Sequence, residues 1–291
     1  MSYQNLTLGQ KATLACMLEV SAPKPGNVHR GADFEDLTFF DFIQSAAAIG
    51  PVIQDRPENR LGPLVLAAIE ATRSVVDSNT NLGLVLLMGP IALARSIDVD
   101  GVKEVLEGLD ERDAQLVYQA ISLAGAGGLG TVSKMDVHES APESLMDAMT
   151  EAQGRDLIAA QYANGFRDVI EVAVPLFRRI QDSGLSQVEA IVRMHVELMS
   201  RYPDSLIARK CGQEVAQESA DRAARVIQQA ELGDEAYHAA LTDFDFWLRS
   251  DGHRRNPGTT ADFIGVVLFI GLIEGWLIPP SIVASEGNED G

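Results

Sequence analysis

Residues 19–30 read Glu-Val-Ser-Ala-Pro-Lys-Pro-Gly-Asn-Val-His-Arg, dense in ionisable groups directly after an apolar helical run. Pro23 and Pro25 fix φ and Gly26 permits a close backbone approach, so a rigid turn is predicted. On such a turn Lys24, His29 and Arg30 can converge on one point, with Asn27 between them. In a chain with 23 Lys+Arg against 42 Asp+Glu, that knot of positive groups predicts an anionic, phosphate-bearing ligand. A turn whose Lys and Arg reach only into water fits the same residues about equally well.

Two other loops carry a similar logic. Asn79, Thr80 and Asn81 precede the apolar segment 82–94 and exceed what one helix cap needs. Gly83 in the first turn leaves room for a ligand against backbone amides, and a helix N-terminus with free N–H groups suits phosphate. Arg254, Arg255, Asn256, Gly258, Thr259 and Thr260 lead into the last apolar segment, where Thr259 with Asp262 predicts a capping box. Residues 125–130 match G-x-G-x-x-G, but no strand precedes them, which disfavours a dinucleotide fingerprint. A loop closing over a site through Gly127 and Gly128, or a tightly packed helix end, is preferred.

Carboxylates follow the same loops. Asp156 and Asp204 each sit at a predicted helix start, where the dipole already favours a negative charge. Either could be a general base or a magnesium ligand, and Arg209 and Lys210 follow Asp204 within two turns. Glu35 and Asp36, in an acidic stretch with Asp33 and Asp41, could take a divalent cation, although a solvated helix start is the commoner explanation. No H-E-x-x-H pattern occurs, His195 is placed at the core edge, and Cys16 and Cys211 are packing thiols.

Helices must position these loops. Thirteen helical segments are predicted, at about 6–21, 37–55, 61–77, 81–97, 101–107, 111–124, 143–152, 154–181, 185–201, 204–209, 212–231, 233–250 and 259–278. Strand-like alternation is missing, so the fold class is all-α, one multi-helix domain over 1–284 with a disordered acidic tail at 285–291. The apolar runs at 82–94 and 263–278 are too short to span a bilayer and read as fully buried helices. A chain of 291 residues with 46% hydrophobic content can build such a core. Its formal charge of −19 argues against a nucleic-acid surface or an anionic membrane, while a local basic pocket remains open to a small anion. Two cysteines and no secretory start read as reduced and cytoplasmic.

Taken together the loops resemble the triphosphoribosyl-dephospho-CoA synthase family, which serves citrate lyase and malonate decarboxylase. The matching segments appear in the family's order, as Glu19 to Gly26, Asn79 to Gly83, Gly127 to Gly130, Asp204 to Gly212 and Asn256 to Asp262. The likeness covers nearly the whole chain, and Pro-Lys-Pro-Gly is among its more specific parts. Departures occur within it: Asn81-Leu82 stands where the family usually has His-Lys, Lys210-Cys211 where Arg-Gly is usual, and Thr259-Thr260 where Gly-Ser is usual. A divergent member is implied, whose acceptor is open.

The resemblance implies an all-α transferase that joins the triphosphorylated ribose of ATP to the 2′-hydroxyl of 3′-dephospho-CoA and releases adenine. Displacing a base at an anomeric carbon passes through an oxocarbenium-like state and needs a base, a donor for the leaving group and charge neutralisation for the phosphates. Lys24, Arg30, Lys210 and Arg254 or Arg255 are then expected on the phosphates, with Mg²⁺ and the two helix N-termini. Glu19 and Asp204 are the expected acids, for base or metal duty, and Asn79, Asn81 and Asn256 are expected on ribose or base edges. Glu35, Asp36 and Asp262 are the further candidates for the ion. Lys24→Ala is expected to lose activity while the fold survives. A ribosyl-phosphate transferase of another cofactor pathway, such as tetrahydromethanopterin, and a non-catalytic nucleotide-binding protein stay open as alternatives, as does a homodimer.

Overall fold

The computed structural model describes residues 5–125 and 143–277. Gly127, Gly128 and the tail at 285–291 lie outside the described residues. Within them the chain forms fourteen α-helices and no sheet: α1 (Leu8–Ser21), α2 (Phe39–Asp55), α3 (Leu61–Arg73), α4 (Leu82–Leu93), α5 (Val99–Glu107), α6 (Glu111–Leu123), α7 (Leu145–Ala152), α8 (Leu157–Asn164), α9 (Val174–Gln181), α10 (Gln187–Arg201), α11 (Ser205–Cys211), α12 (Gln213–Gln229), α13 (Asp234–Arg249) and α14 (Gly258–Glu274). A four-residue extended turn, Ser250–His253, joins the last two helices. The all-α expectation holds, because apolar residues recur at helical spacing in segment after segment.

Local chemistry explains most boundaries. Thr7 caps α1 and Thr38 caps α2, each in a reciprocal capping box with the residue three positions on. The expected long helix at 154–181 is instead broken. Gly165 and Phe166 both adopt positive φ, at 71° and 63°, and a π-helical turn, Asp168–Ala173, follows before α9. The fully buried Phe166 ring holds that break, so core packing overrides the local helical preference. The helix predicted over 61–77 stops at Arg73, and the one over 81–97 stops at Leu93.

The two apolar segments are the buried helices. From α14, the twelve residues Thr259, Thr260, Phe263 through Leu272 are buried, and α14 packs against α1, α4, α9, α10 and α11. Helix α4 is buried from Leu84 to Ala92 without a break. A helix apolar on all sides finds partners only in the middle of a bundle, and the remaining helices supply them. Among the described residues no helix is long and apolar enough to cross a membrane. A second, smaller apolar cluster, including Val196, Ile207, Val226, Phe244 and Leu248, ties α10 to α13.

Close packing then places the loop residues. Helices α1 and α2 meet at Gly9 and Gly50, where a Cβ on either would overlap the partner's backbone or Thr13. Gly26, with φ at 74°, lets the chain reverse after Pro25, and a Cβ there would lie 2.9 Å from both Leu248 Cβ and Pro257 Cδ. The 19–27 segment is thereby clamped between α13 and the start of α14.

Candidate active site

Four of the five loop segments named from sequence do meet. One cavity of about 1030 Å³ is lined by residues of α1, the turn after it, the α3–α4 loop, α6 to α8, α11 and the start of α14. Glu19, Asn27, Asp36, Asn79, Thr80, Asn81, Gly83, Arg209, Lys210, Asn256, Gly258, Thr259 and Asp262 all contribute to its wall. Lys24, His29, Arg30, Glu35, Asp204, Arg255 and Thr260 do not.

The reasons differ residue by residue. Lys24 turns inward rather than toward a ligand. It is 0% exposed, its Nζ sits 2.9 Å from Glu19 Oε1, and it also donates to the carbonyl oxygens of Glu19 and Ala22. Its neighbour His195 is wholly buried, placed by the ring nitrogen Nε2 3.3 Å from the Pro25 carbonyl. Burial, reinforced by the Lys24 charge, pulls that imidazole down to about 3, so it stays neutral beside the ammonium. The chain reversal at Gly26 then sends His29 and the exposed Arg30 outward, so the three groups do not converge. Within that outer turn the His29 and Ala32 backbones bond each other, and Asp33 accepts from the Phe39 amide at 2.6 Å. The acidic stretch thus serves helix α2.

Asp204 is a staple, not a free base. Its Oδ1 accepts from the amides of Leu206 and Ile207 at 2.9 and 3.1 Å, capping α11. Its Oδ2 accepts from Thr260 N and Oγ1 at 2.7 and 2.8 Å, so the same carboxylate caps α14 from outside. Four donors leave it no open face, and burial removes it from the cavity wall. The capping box expected from Thr259 and Asp262 is absent: Pro257 is the N-cap and makes no side-chain capping bond, which leaves Asp204 to do so from outside. Thr259 instead accepts from Ser205 Oγ at 3.0 Å. Arg255 lies over the Trp247 ring, 4.5 Å from its centroid, and donates to the Trp247 carbonyl. Arg254, also off the wall, donates to the Lys210 carbonyl at 3.1 Å.

What remains in the cavity is chemically pointed. Arg209 and Lys210 from α11, Arg73 from α3 and Arg155 before α8 supply positive charge. Burial, then the Arg209 charge, lowers the Lys210 ammonium below its ordinary range, which an incoming anion would offset. Asn27 donates to Asn256 Oδ1 at 2.6 Å, joining two of the loops, and the buried Asn27 Oδ1 has no partner among the described residues. Thr80 bonds Ser45 on α2 at 2.5 Å, and Asn81 bonds Thr72 on α3 at 2.9 Å, so both are anchored to neighbouring helices. Asp156 caps α8 through Oδ1, while its Oδ2 lies 3.8 Å from Arg209. Asp36 pairs with His253 at 2.7 Å.

Gly83 makes room for a side chain. A Cβ built on it would overlap Asp262 Oδ2 and come within 2.7 Å of Ile158 Cδ1. The carboxylate of Asp262 therefore lies against the first turn of α4. Gly83→Ala is expected to displace Asp262 and cost about 1–3 kcal/mol as overpacking. Thermal unfolding would show it, and an unchanged Tm with unchanged activity would refute the fit.

One part of the wall was not foreseen. Tyr118, Ile121 and Ala124 of α6 with Ala148, Met149 and Ala152 of α7 form an apolar face. Their spacing is that of any core-facing helix, so the sequence carries no separate signal for them. Arg73 was likewise not singled out, since a basic residue inside a predicted helix carries no signal of its own.

A metal site is not assembled from these groups. Among the described residues no set of three or more His, Cys, Asp or Glu side chains is placed to hold an ion. Glu35 lies off the cavity and Asp36 is engaged with His253, so neither joins Asp262.

Residues 5–279 match the family model described as CitG: ATP:dephospho-CoA triphosphoribosyl transferase. A crystal structure from Archaeoglobus fulgidus, provisionally described as a triphosphoribosyl-dephospho-CoA synthase, superposes with a TM-score of 0.60 at 24% identity. The alignment covers 80% of this chain and 99% of that one, and at this identity it supports the fold. No curated protein matches the chain.

Proposed function

The chain belongs to the ATP:dephospho-CoA triphosphoribosyl transferase family, and from that premise we propose that its cavity transfers the triphosphoribosyl group of ATP to the 2′-hydroxyl of 3′-dephospho-CoA, releasing adenine. The observation that carries this reading is the convergence of loops far apart in sequence on one cavity whose wall holds both cations and apolar side chains. Its volume, about 1030 Å³, is at the top of the roughly 300–1,000 Å³ range of small-molecule sites. That suits two substrates better than one.

In this reading Arg209, Lys210, Arg73 and Arg155 hold the phosphates, and the apolar face between α6 and α7 takes a base or the acceptor's pantetheine arm. Asn27 and Asn256 hold sugar hydroxyls, for which Asn27 Oδ1 is an unused acceptor. Glu19, on the wall and only 7% exposed, takes the proton of the attacking hydroxyl. Its ion pair with Lys24 fixes the carboxylate's orientation. Mg²⁺ would arrive as the counter-ion of the triphosphate; the chain's own carboxylates do not form a cage for it, and no step is assigned to it.

The test is incubation of the protein with ATP, Mg²⁺ and 3′-dephospho-CoA, followed by chromatography and mass measurement. Free adenine and a triphosphoribosylated acceptor, both requiring 3′-dephospho-CoA, are expected. Bound ATP with no adenine released would overturn the acceptor assignment.

A further inference from the structure

Two of the carboxylates that line this cavity stand in opposite circumstances. Glu19 is tied to an ammonium at 2.9 Å. Asp262 has no hydrogen-bond partner and no cation within ion-pair distance among the described residues, although it lines the same wall. It rests on the backbone of Gly83, beside Ile158 and next to the apolar stretch Leu82, Leu84 and Leu86. The carboxyl thus lies on the cavity wall against the first turn of α4, without the tie that holds Glu19.

On the transferase reading above, we propose that Asp262 is the proton donor to the departing adenine. Three negative groups from three elements surround it: Glu19 on α1, Asp204 at the start of α11 and Asp156 at the start of α8. The Arg209 charge acts against them, and Cys16 on α1 is a further titratable neighbour, a thiol that burial pushes up. Burial first, then those carboxylates, pushes the Asp262 carboxyl well above the usual carboxylate range. A carboxyl biased toward its protonated form on the same wall as an ion-paired carboxylate is an arrangement that can divide acid and base roles between two similar groups.

The step balances within the site. The bond from C1′ to N9 breaks with its electron pair going to the base, and the Asp262 proton passes to a ring nitrogen of adenine. The acceptor hydroxyl oxygen bonds C1′ and its proton passes to Glu19. Between turnovers Glu19 returns that proton through solvent to Asp262, so the products are neutral adenine and the triphosphoribosylated acceptor.

The discriminating experiment compares ATP with a ribose triphosphate carrying 4-nitrophenoxide at C1′, a leaving group that departs without protonation. With 3′-dephospho-CoA as acceptor, Asp262→Asn is expected to lower kcat for ATP by about 10²–10³-fold, the range for a lost general acid. For the nitrophenyl substrate its kcat should stay within about threefold of wild type, since only leaving-group protonation is removed. The fall in wild-type activity as pH rises through the Asp262 ionisation should be missing from the variant. An equal loss on both substrates, or an unchanged rate with ATP, would overturn the proposal. Its Tm at pH 7 should equal or exceed that of wild type, because ionising this half-buried carboxyl disfavours the fold as pH rises above its unfolded value. A lower Tm with activity lost on both substrates would assign Asp262 a structural role instead. A wild-type protein that transfers from the nitrophenyl donor to another acceptor, but not to 3′-dephospho-CoA, would correct the acceptor and leave Asp262 to be judged on the new one by the same comparison.

Discussion

Replacing Lys24 with alanine is expected to destabilise the protein by about 3–5 kcal/mol, the cost of breaking a buried ion pair from one side. Its ammonium is 0% exposed and serves the Glu19 carboxylate and two backbone carbonyls. Alanine leaves Glu19, itself largely buried, without its cation, removes the donor from both carbonyls and opens space beside the neutral His195. Against a typical total stability of about 5–15 kcal/mol this is a large fraction. Urea unfolding would measure it, and a midpoint within error of wild type would show that the pair contributes nothing. The expectation from sequence, that the fold survives the change, is therefore replaced by one in which loss of activity in that variant is uninformative.

The second large effect separates catalysis from that stability loss. Changing Lys24→Met and Glu19→Gln together leaves neither partner as an unpaired buried charge, so most of the stability should return. Activity should not. Without a carboxylate to accept the hydroxyl proton, kcat for adenine release is expected to fall about 10³-fold, within the range for a positioned general base. The affinity for ATP should change by less than about threefold, since Arg209 and Lys210, proposed to hold the phosphates, are untouched. A stable double variant that retains more than about a tenth of the wild-type rate would remove Glu19 from the base role.

Several parts of the site were legible from spacing. The Asn79–Gly83 and Asn256–Asp262 segments were singled out because each crowds polar residues at a helix start, and Arg209–Lys210 as cations within two turns of Asp204; each does reach the cavity. The same signal misled at Asp204 and Thr260. A carboxylate at a helix start looks identical whether it meets a ligand or caps two helices, and only the 2.7 Å bond from Thr260 shows which. Gly83 was read as an opening for a ligand, whereas the space it leaves is occupied by Asp262, 179 positions further along.

The sequence by itself determined the all-α class, the two buried helices α4 and α14, and the family, because apolar periodicity and short motifs are relations between neighbours along the chain. Only the tertiary structure decided which polar groups face the cavity. Lys24 and Glu19 lie in one short stretch, yet a positive-φ glycine and the packing of α13 and α14 turn one into the protein and leave the other on the wall. Side-chain direction at a loop is set by whatever packs against it, and here those partners come from more than 200 residues away, at Leu248 and Pro257.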